Sequence, residues 1–159
     1  MSVNQQILDL AIEKGVMLTC AESCTGGMVA AALTDLPGSS AMMDRGFVTY
    51  TNAAKVDLLG VSQTTLDRHG AVSEEVAQEM ALGALKRSEA QVAVSITGIA
   101  GPGGSEHKPE GRVCFGLGQG HSVFTETCEF GAVGRANVRT AARDHALSLI
   151  LKALQTLPK

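Results

Sequence analysis

The chain has 159 residues and a formal net charge of −3, with 45% hydrophobic and 18% charged residues. That length and composition fit one globular domain with an adequate core, and they exclude a disordered chain. With no basic excess, four Phe, one Tyr and no Trp, the chain lacks the cations and stacking aromatics of a general nucleic-acid binder.

The first residues, MSVNQQILDLAIEKG, contain no basic region followed by an apolar stretch, so they do not read as a signal peptide. No apolar run approaches the ~20 residues of a membrane span. A cytoplasmic location is expected, with Cys20, Cys24, Cys114 and Cys128 reduced.

Apolar residues at helical spacing (Ile7, Leu8, Ala11, Ile12) predict a helix over 4–14, ended by Gly15. Residues 16–20 read as a buried strand, 21–27 as a small polar turn, and 28–33 as a helix broken at Pro37-Gly38. Residues 47–50 are β-prone, and Asn52 is expected to cap a helix through Leu59, closed by Gly60. Ser73 caps a further helix, where Glu74 and Glu75 suit the positive end of the dipole and Val76, Met80 and Ala84 mark the buried face. Residues 91–96 (QVAVSI) are the clearest buried strand and run into a glycine-rich loop, 97–105. Residues 112–117 and 122–130 read as a hairpin around 118–121. Val138, Ala142, Ala146, Leu149 and Ala153 stripe a long last helix. The order αβαβααβββα predicts a single three-layer α/β/α domain with a mixed sheet over 1–159.

Four places carry chemistry. Ser23, in AESCTGG, follows a strand and precedes a helix. There its hydroxyl would face the positive end of the helix dipole, nearby amides would hold an oxyanion, and Gly26 and Gly27 would admit a substrate. On position alone, a plain helix N-cap is the commoner role for such a serine. Nothing places a histidine beside it, and Cys24 is a rival nucleophile more simply read as a packing residue. Lys55, in the helix after Tyr50, is a candidate base: a desolvated lysine accepts a serine proton and a tyrosine relays it. A solvated lysine is the commoner fate, and spacing does not decide between them. The 97–105 loop leaves a strand's carboxyl end, where open α/β folds bind ligands, and its freed amides suit an anion. Arg135, Arg139 and Arg143, four apart, form one helix stripe suited to a phosphate or to solvent. The cysteine and histidine spacings match no metal motif, so no metal ligands are expected.

Several longer segments, taken in order, carry a resemblance. AESCTGG (21–27), RGFVTYTNAAK (45–55), LLGV (58–61), HGAVSEEVAQEMALGAL (69–85) and SITGIAGPGGSEHKPEGRV (95–113) are similar to the C-terminal domain of the CinA competence/damage-inducible proteins. That domain also occurs alone as a nicotinamide-nucleotide amidase. The resemblance implies hydrolysis of nicotinamide mononucleotide to nicotinate mononucleotide and ammonia, in pyridine-nucleotide recycling. It implies metal-independent, cofactor-free catalysis by Ser23 with Lys55 and Tyr50. It also implies a substrate pocket of Thr25, Gly26, Thr97, Gly98, Ala100, Gly101 and Arg139, with Arg135 close enough to compete for the last role. A homodimer or higher homo-oligomer is expected, acting on no nucleic acid and no membrane. The nucleotide-processing domain of the larger CinA proteins, and its pyrophosphatase activity, are expected to be absent. Binding of a nucleotide without turnover, or an amidase acting on another small amide, are the competing expectations.

Overall fold

The parallel part of the central sheet consists of β1 (Leu18–Glu22), β2 (Met43–Val48) and β3 (Val92–Gly98), with β1 in the middle and parallel to both neighbours. β4 (Arg112–Gln119) joins β3 antiparallel and β5 (Ser122–Glu129) joins β4 antiparallel, giving the order β2-β1-β3-β4-β5. This computed structural model describes residues 1–158. Every residue of β1 and nearly every residue of β3 is buried, as expected of strands covered on both faces.

Strand alternation sorts the side chains into two layers. Leu18, Cys20, Val92, Val94, Ile96, Val113 and Phe115 face α1 (Val3–Lys14), α2 (Met28–Leu33) and α6 (Arg135–Thr156). Ala21 and Ala93 face the opposite layer, α3 (Asn52–Leu59), α4 (Gln63–His69) and α5 (Glu74–Lys86), through Leu59, Leu66, Val76, Met80 and Ala84. The mixed three-layer architecture expected from the sequence is therefore present. Within α6 the apolar stripe read from the sequence is buried, joined by Leu147, Ile150 and Leu154.

Local chemistry sets the ends. Ser2 and Ser73 accept amide hydrogen bonds as N-caps of α1 and α5, and left-handed Gly15 and Gly60 close α1 and α3. The cap of α3 is Thr51 rather than Asn52: Thr51 is extended and its hydroxyl accepts from the Ala54 amide, while Asn52 already lies in the helix. β1 is displaced toward the carboxyl side of the expected 16–20, because Leu18–Glu22 is the stretch that registers with Val92–Ile96. β2 begins four residues before the expected 47–50. As a half-exposed edge strand it needs no apolar pattern, and Asp44 and Arg45 are accommodated in it. α4 is missing from the expected order αβαβααβββα: it has seven residues and one buried side chain, Leu66, so it carries almost no helical period.

The chain leaves β1 toward α2 on one face and leaves β2 toward α3 on the other. Divergent exits of this kind open a crevice outside the carboxyl ends of neighbouring parallel strands. Ser23 directly follows β1, and Thr49-Tyr50 directly follows β2.

Candidate active site

Two cross-links fix the crevice. The Ser23 amide donates to Ile96 O at 2.9 Å and the Thr49 amide donates to Glu22 O at 2.8 Å, so the ends of all three parallel strands are laced together. Lys55 and Leu59, one helical turn apart, are the buried residues of α3. That periodicity turns the lysine inward, and only 1% of it is exposed.

Lys55 Nζ lies 3.1 Å from Ser23 Oγ and 3.2 Å from the Tyr50 carbonyl oxygen. Ser23, 7% exposed, also donates from Oγ to the Tyr50 carbonyl at 3.4 Å. No carboxylate is among the hydrogen-bond partners of the amine. Burial therefore dominates its titration and lowers its pKa below the ordinary lysine value of 10.5, opposed weakly by Cys24. A neutral amine so placed has a lone pair for the serine proton.

Tyr50 contributes its carbonyl to this pair, not its phenol. The ring is 58% exposed, and its hydroxyl accepts from Arg135 Nη2 at 3.1 Å. The expected phenolic relay thus has no hydrogen bond to Ser23 or Lys55. Cys24 is buried, which pushes its thiol pKa up to about 11 and leaves it protonated at neutral pH. It makes a poor nucleophile and a good packing group.

The region before α2 differs from expectation. Glu22 is fully buried, and its carboxylate accepts from the amides of Gly27, Val29 and Ala30 at 3.0–3.1 Å. The start of α2 is thereby occupied by a protein carboxylate, so the dipole is unavailable to an oxyanion at Ser23. The Cys24 and Thr25 amides, by contrast, donate to no backbone carbonyl. Among the described residues the buried Thr25 hydroxyl has no hydrogen-bond partner. Gly26 is left-handed, and a Cβ there would come 3.3 Å from Arg139 Nη2.

Two clefts in series open from the serine. An inner one of about 190 Å³ is lined by Ser23, Cys24, Lys55, Thr97, Gly98 and Arg135, among others. An outer one of about 290 Å³ is lined by the glycine loop from Gly98 to Ser105, and Tyr50, Ala71, Val72 and Arg135 border both. Gly98 lines both, and no side chain fits there, because a Cβ would sit 2.7 Å from Val113 and 3.0 Å from Cys24 Sγ. The Thr97 hydroxyl is engaged in the wall of the inner cleft, donating to Ala71 O at 2.8 Å. In the loop, the Gly103 amide already donates to the Glu110 carboxylate and the Ser105 amide to Lys108 O. Those of Ala100, Gly101 and Gly104 donate to no backbone carbonyl.

The arginine stripe divides by role. Arg135 lines both clefts and donates from Nη1 to Gly101 O at 2.7 Å. Arg139 lines neither: it donates from Nε to Cys24 O at 3.0 Å and from Nη2 to Thr25 O at 3.4 Å, bracing the turn that carries Ser23. Arg143 pairs with Asp144, and no part of it borders either cleft. Glu22 was missed in the sequence, although a carboxylate a few residues before a helix start is a recognisable amide acceptor.

The arrangement sets a serine hydroxyl against a buried lysine amine, at the carboxyl edge of a three-layer α/β/α fold. A family model for the CinA C-terminal domain matches residues 1–154, and the chain belongs to that family. It is 55% identical over 141 residues to nicotinamide-nucleotide amidohydrolase PncC of Enterobacter agglomerans, covering 87% of this chain and 85% of the relative. The PncC of Escherichia coli strain K12 is 48% identical, over 94% of this chain and 92% of the relative. A CinA-like protein of Chlorobium phaeobacteroides is also 48% identical, but the match spans only 38% of that longer protein. Among solved structures, the competence/damage-inducible protein CihA from Agrobacterium tumefaciens superposes with a TM-score of 0.92 at 47% identity, covering 97% of this chain and 94% of that one. The competence damage-inducible protein A from Klebsiella pneumoniae gives 0.94 at 36% identity, covering 98% and 97%. Among the described residues no helix is long and apolar enough to cross a membrane.

Proposed function

We propose that this protein hydrolyses the carboxamide of nicotinamide mononucleotide, giving nicotinate mononucleotide and ammonia. The observation that carries the reading is the 3.1 Å contact between Ser23 Oγ and the buried amine of Lys55, at the inner end of a ligand-sized cleft. The reaction itself is the one named for relatives that match along most of their length.

In this reading Ser23 attacks the amide carbon as Lys55 Nζ takes the hydroxyl proton. The Tyr50 carbonyl orients both groups and stabilises the ammonium that forms. The oxyanion is received by the Cys24 and Thr25 amides, which donate to no backbone carbonyl, each such donor supplying about 3–4 kcal/mol. Lys55 returns its proton to the departing nitrogen, the C–N bond breaks and ammonia leaves. Water then attacks the serine ester, giving its proton to Lys55, and Ser23 is released with the free acid. The pyridine ring occupies the inner cleft and the ribose phosphate the outer one, where Arg135 and the amides of Ala100, Gly101 and Gly104 meet the phosphate. Tyr50 forms a wall rather than a relay, and Arg139 holds the turn. The nucleophile and base are both side chains, so no step calls for a metal or cofactor.

The same reading takes the chain as one domain that acts on a small molecule, not on nucleic acid, in the cytoplasm, as a homodimer or higher homo-oligomer. The decisive assay is ammonia release from nicotinamide mononucleotide with and without a chelator. Turnover that persists with chelator and falls at least about 10⁴-fold in Ser23→Ala is expected. Binding without turnover would make the chain a nucleotide-binding module, and full activity in Ser23→Ala would remove Ser23 from the chemistry.

A further inference from the structure

We propose that Glu126, Cys128 and His145 form a site for one divalent ion of the zinc type, between β5 and α6 and separate from the serine site. Strand alternation puts Glu126 and Cys128 on one face of β5. Their neighbours Thr125 and Thr127 turn the other way, donating to Glu74 of α5. His145 approaches from α6, its ring set against Phe115 and Phe130 at centroid distances of 4.6 and 6.5 Å. The two aromatic contacts hold the imidazole so that Nε2 meets both strand residues.

A carboxylate oxygen, the thiol sulfur and Nε2 all lie within 4.8 Å of one another. Cys128 Sγ is 3.6 Å from His145 Nε2. Zinc bonds of about 2.3 Å to sulfur and 2.0–2.1 Å to nitrogen, at a tetrahedral angle, separate those two atoms by about 3.5 Å. The sulfur–nitrogen edge of the coordination polyhedron is thus already in place. The Glu126 carboxylate now hydrogen-bonds Nε2 closely, and it moves outward when an ion takes the position of the shared proton.

Binding forms one bond each from oxygen, nitrogen and sulfur to the ion, releases the thiol proton, and leaves the imidazole with its one hydrogen on Nδ1. Water fills the fourth position. The mixed donor set favours zinc or cobalt(II) over magnesium or calcium. All three residues are half-buried, so an ion has a route in, and Cys128 is the one cysteine of the four that is not buried. β5 lies three strands from β1, or about 14 Å by strand spacing. The ion is therefore a clamp between the edge strand and α6, with no part in the reaction at Ser23. The sequence hides the site because Cys128 and His145 are 17 residues apart on different elements.

The test titrates zinc and cobalt(II) into full-length protein first stripped with chelator and desalted. One equivalent bound per chain is expected, with a near-ultraviolet sulfur-to-cobalt charge-transfer band and a melting temperature raised by several degrees at saturating zinc. Cys128→Ser should abolish the band, and Cys128→Ser and Glu126→Gln should each weaken zinc binding at least 10-fold, with circular dichroism establishing that both variants are folded. Absence of uptake from micromolar zinc by the wild-type chain, or undiminished affinity in either variant, overturns the site.

Discussion

Arg135 donates to the Tyr50 hydroxyl at 3.1 Å and to the Gly101 carbonyl at 2.7 Å, so the first turn of α6 reaches both walls of the outer cleft. Its near neighbour Arg139 faces the main chain of the serine turn instead.

This division predicts different kinetic outcomes for the two arginines. Arg135→Ala should raise KM for nicotinamide mononucleotide about 10- to 100-fold with a smaller change in kcat, as expected when a charge-assisted phosphate contact is lost. Arg139→Ala should lower kcat more than it raises KM, because it loosens the support of Ser23. Steady-state kinetics of both variants check the pair, and a reversed pattern would exchange their roles.

Lys55 predicts a pH dependence. Burial lowers its folded pKa below the unfolded value near 10.5. In the proposed mechanism the free base is the catalytic form, so kcat/KM should rise with pH through the lowered pKa and then level off. Stability follows the same sign. Between the lowered pKa and about 10.5 the unfolded chain binds the extra proton, so stability rises with pH across that window, and the penalty is fully present below it. Lys55→Met should abolish activity and flatten this dependence, while leaving the fold equally or more stable at neutral pH. Urea melts of both proteins at several pH values measure it.

Glu22 predicts a stability loss with a kinetic companion. Glu22→Ala leaves three amides, one buried and two partly buried, without an acceptor and should cost about 3–5 kcal/mol in urea unfolding. Glu22→Gln keeps one acceptor oxygen and should cost less. Its kcat should still fall, since the adjoining Ser23 turn is held by the same contacts.

Cys24 should be dispensable for chemistry. With its thiol pKa near 11, alkylation at neutral pH should be slow, and Cys24→Ala should retain activity within a few-fold. A loss comparable to that of Ser23→Ala would instead make sulfur the nucleophile.

The features legible in the sequence are those governed by local rules. The apolar stripe of α6, the QVAVSI strand and the Ser73 cap declare themselves through period and residue type. β2 and α4 do not, because an exposed edge strand and a two-turn helix with one buried leucine need little patterning. Ser23, Lys55 and Tyr50 were readable as chemical candidates, but their relations were not. That the Tyr50 carbonyl rather than its phenol meets the amine follows from how the chain bends after β2. The choice between Arg135 and Arg139 likewise depends on which side of α6 faces the loop, and a spacing of four puts both on one stripe.

The buried carboxylate of Glu22 has a consequence for ligand orientation. The electropositive end of α2 is neutralised from within, before any ligand arrives. The start of α2 therefore has no amides left for an anion at the serine end of the crevice, while Arg135 and the glycine loop border the outer cleft. In the proposed mode a molecule with a neutral amide at one extremity and a doubly charged group at the other would turn its charged end to the guanidinium and loop amides of the outer cleft, and so bind in one orientation.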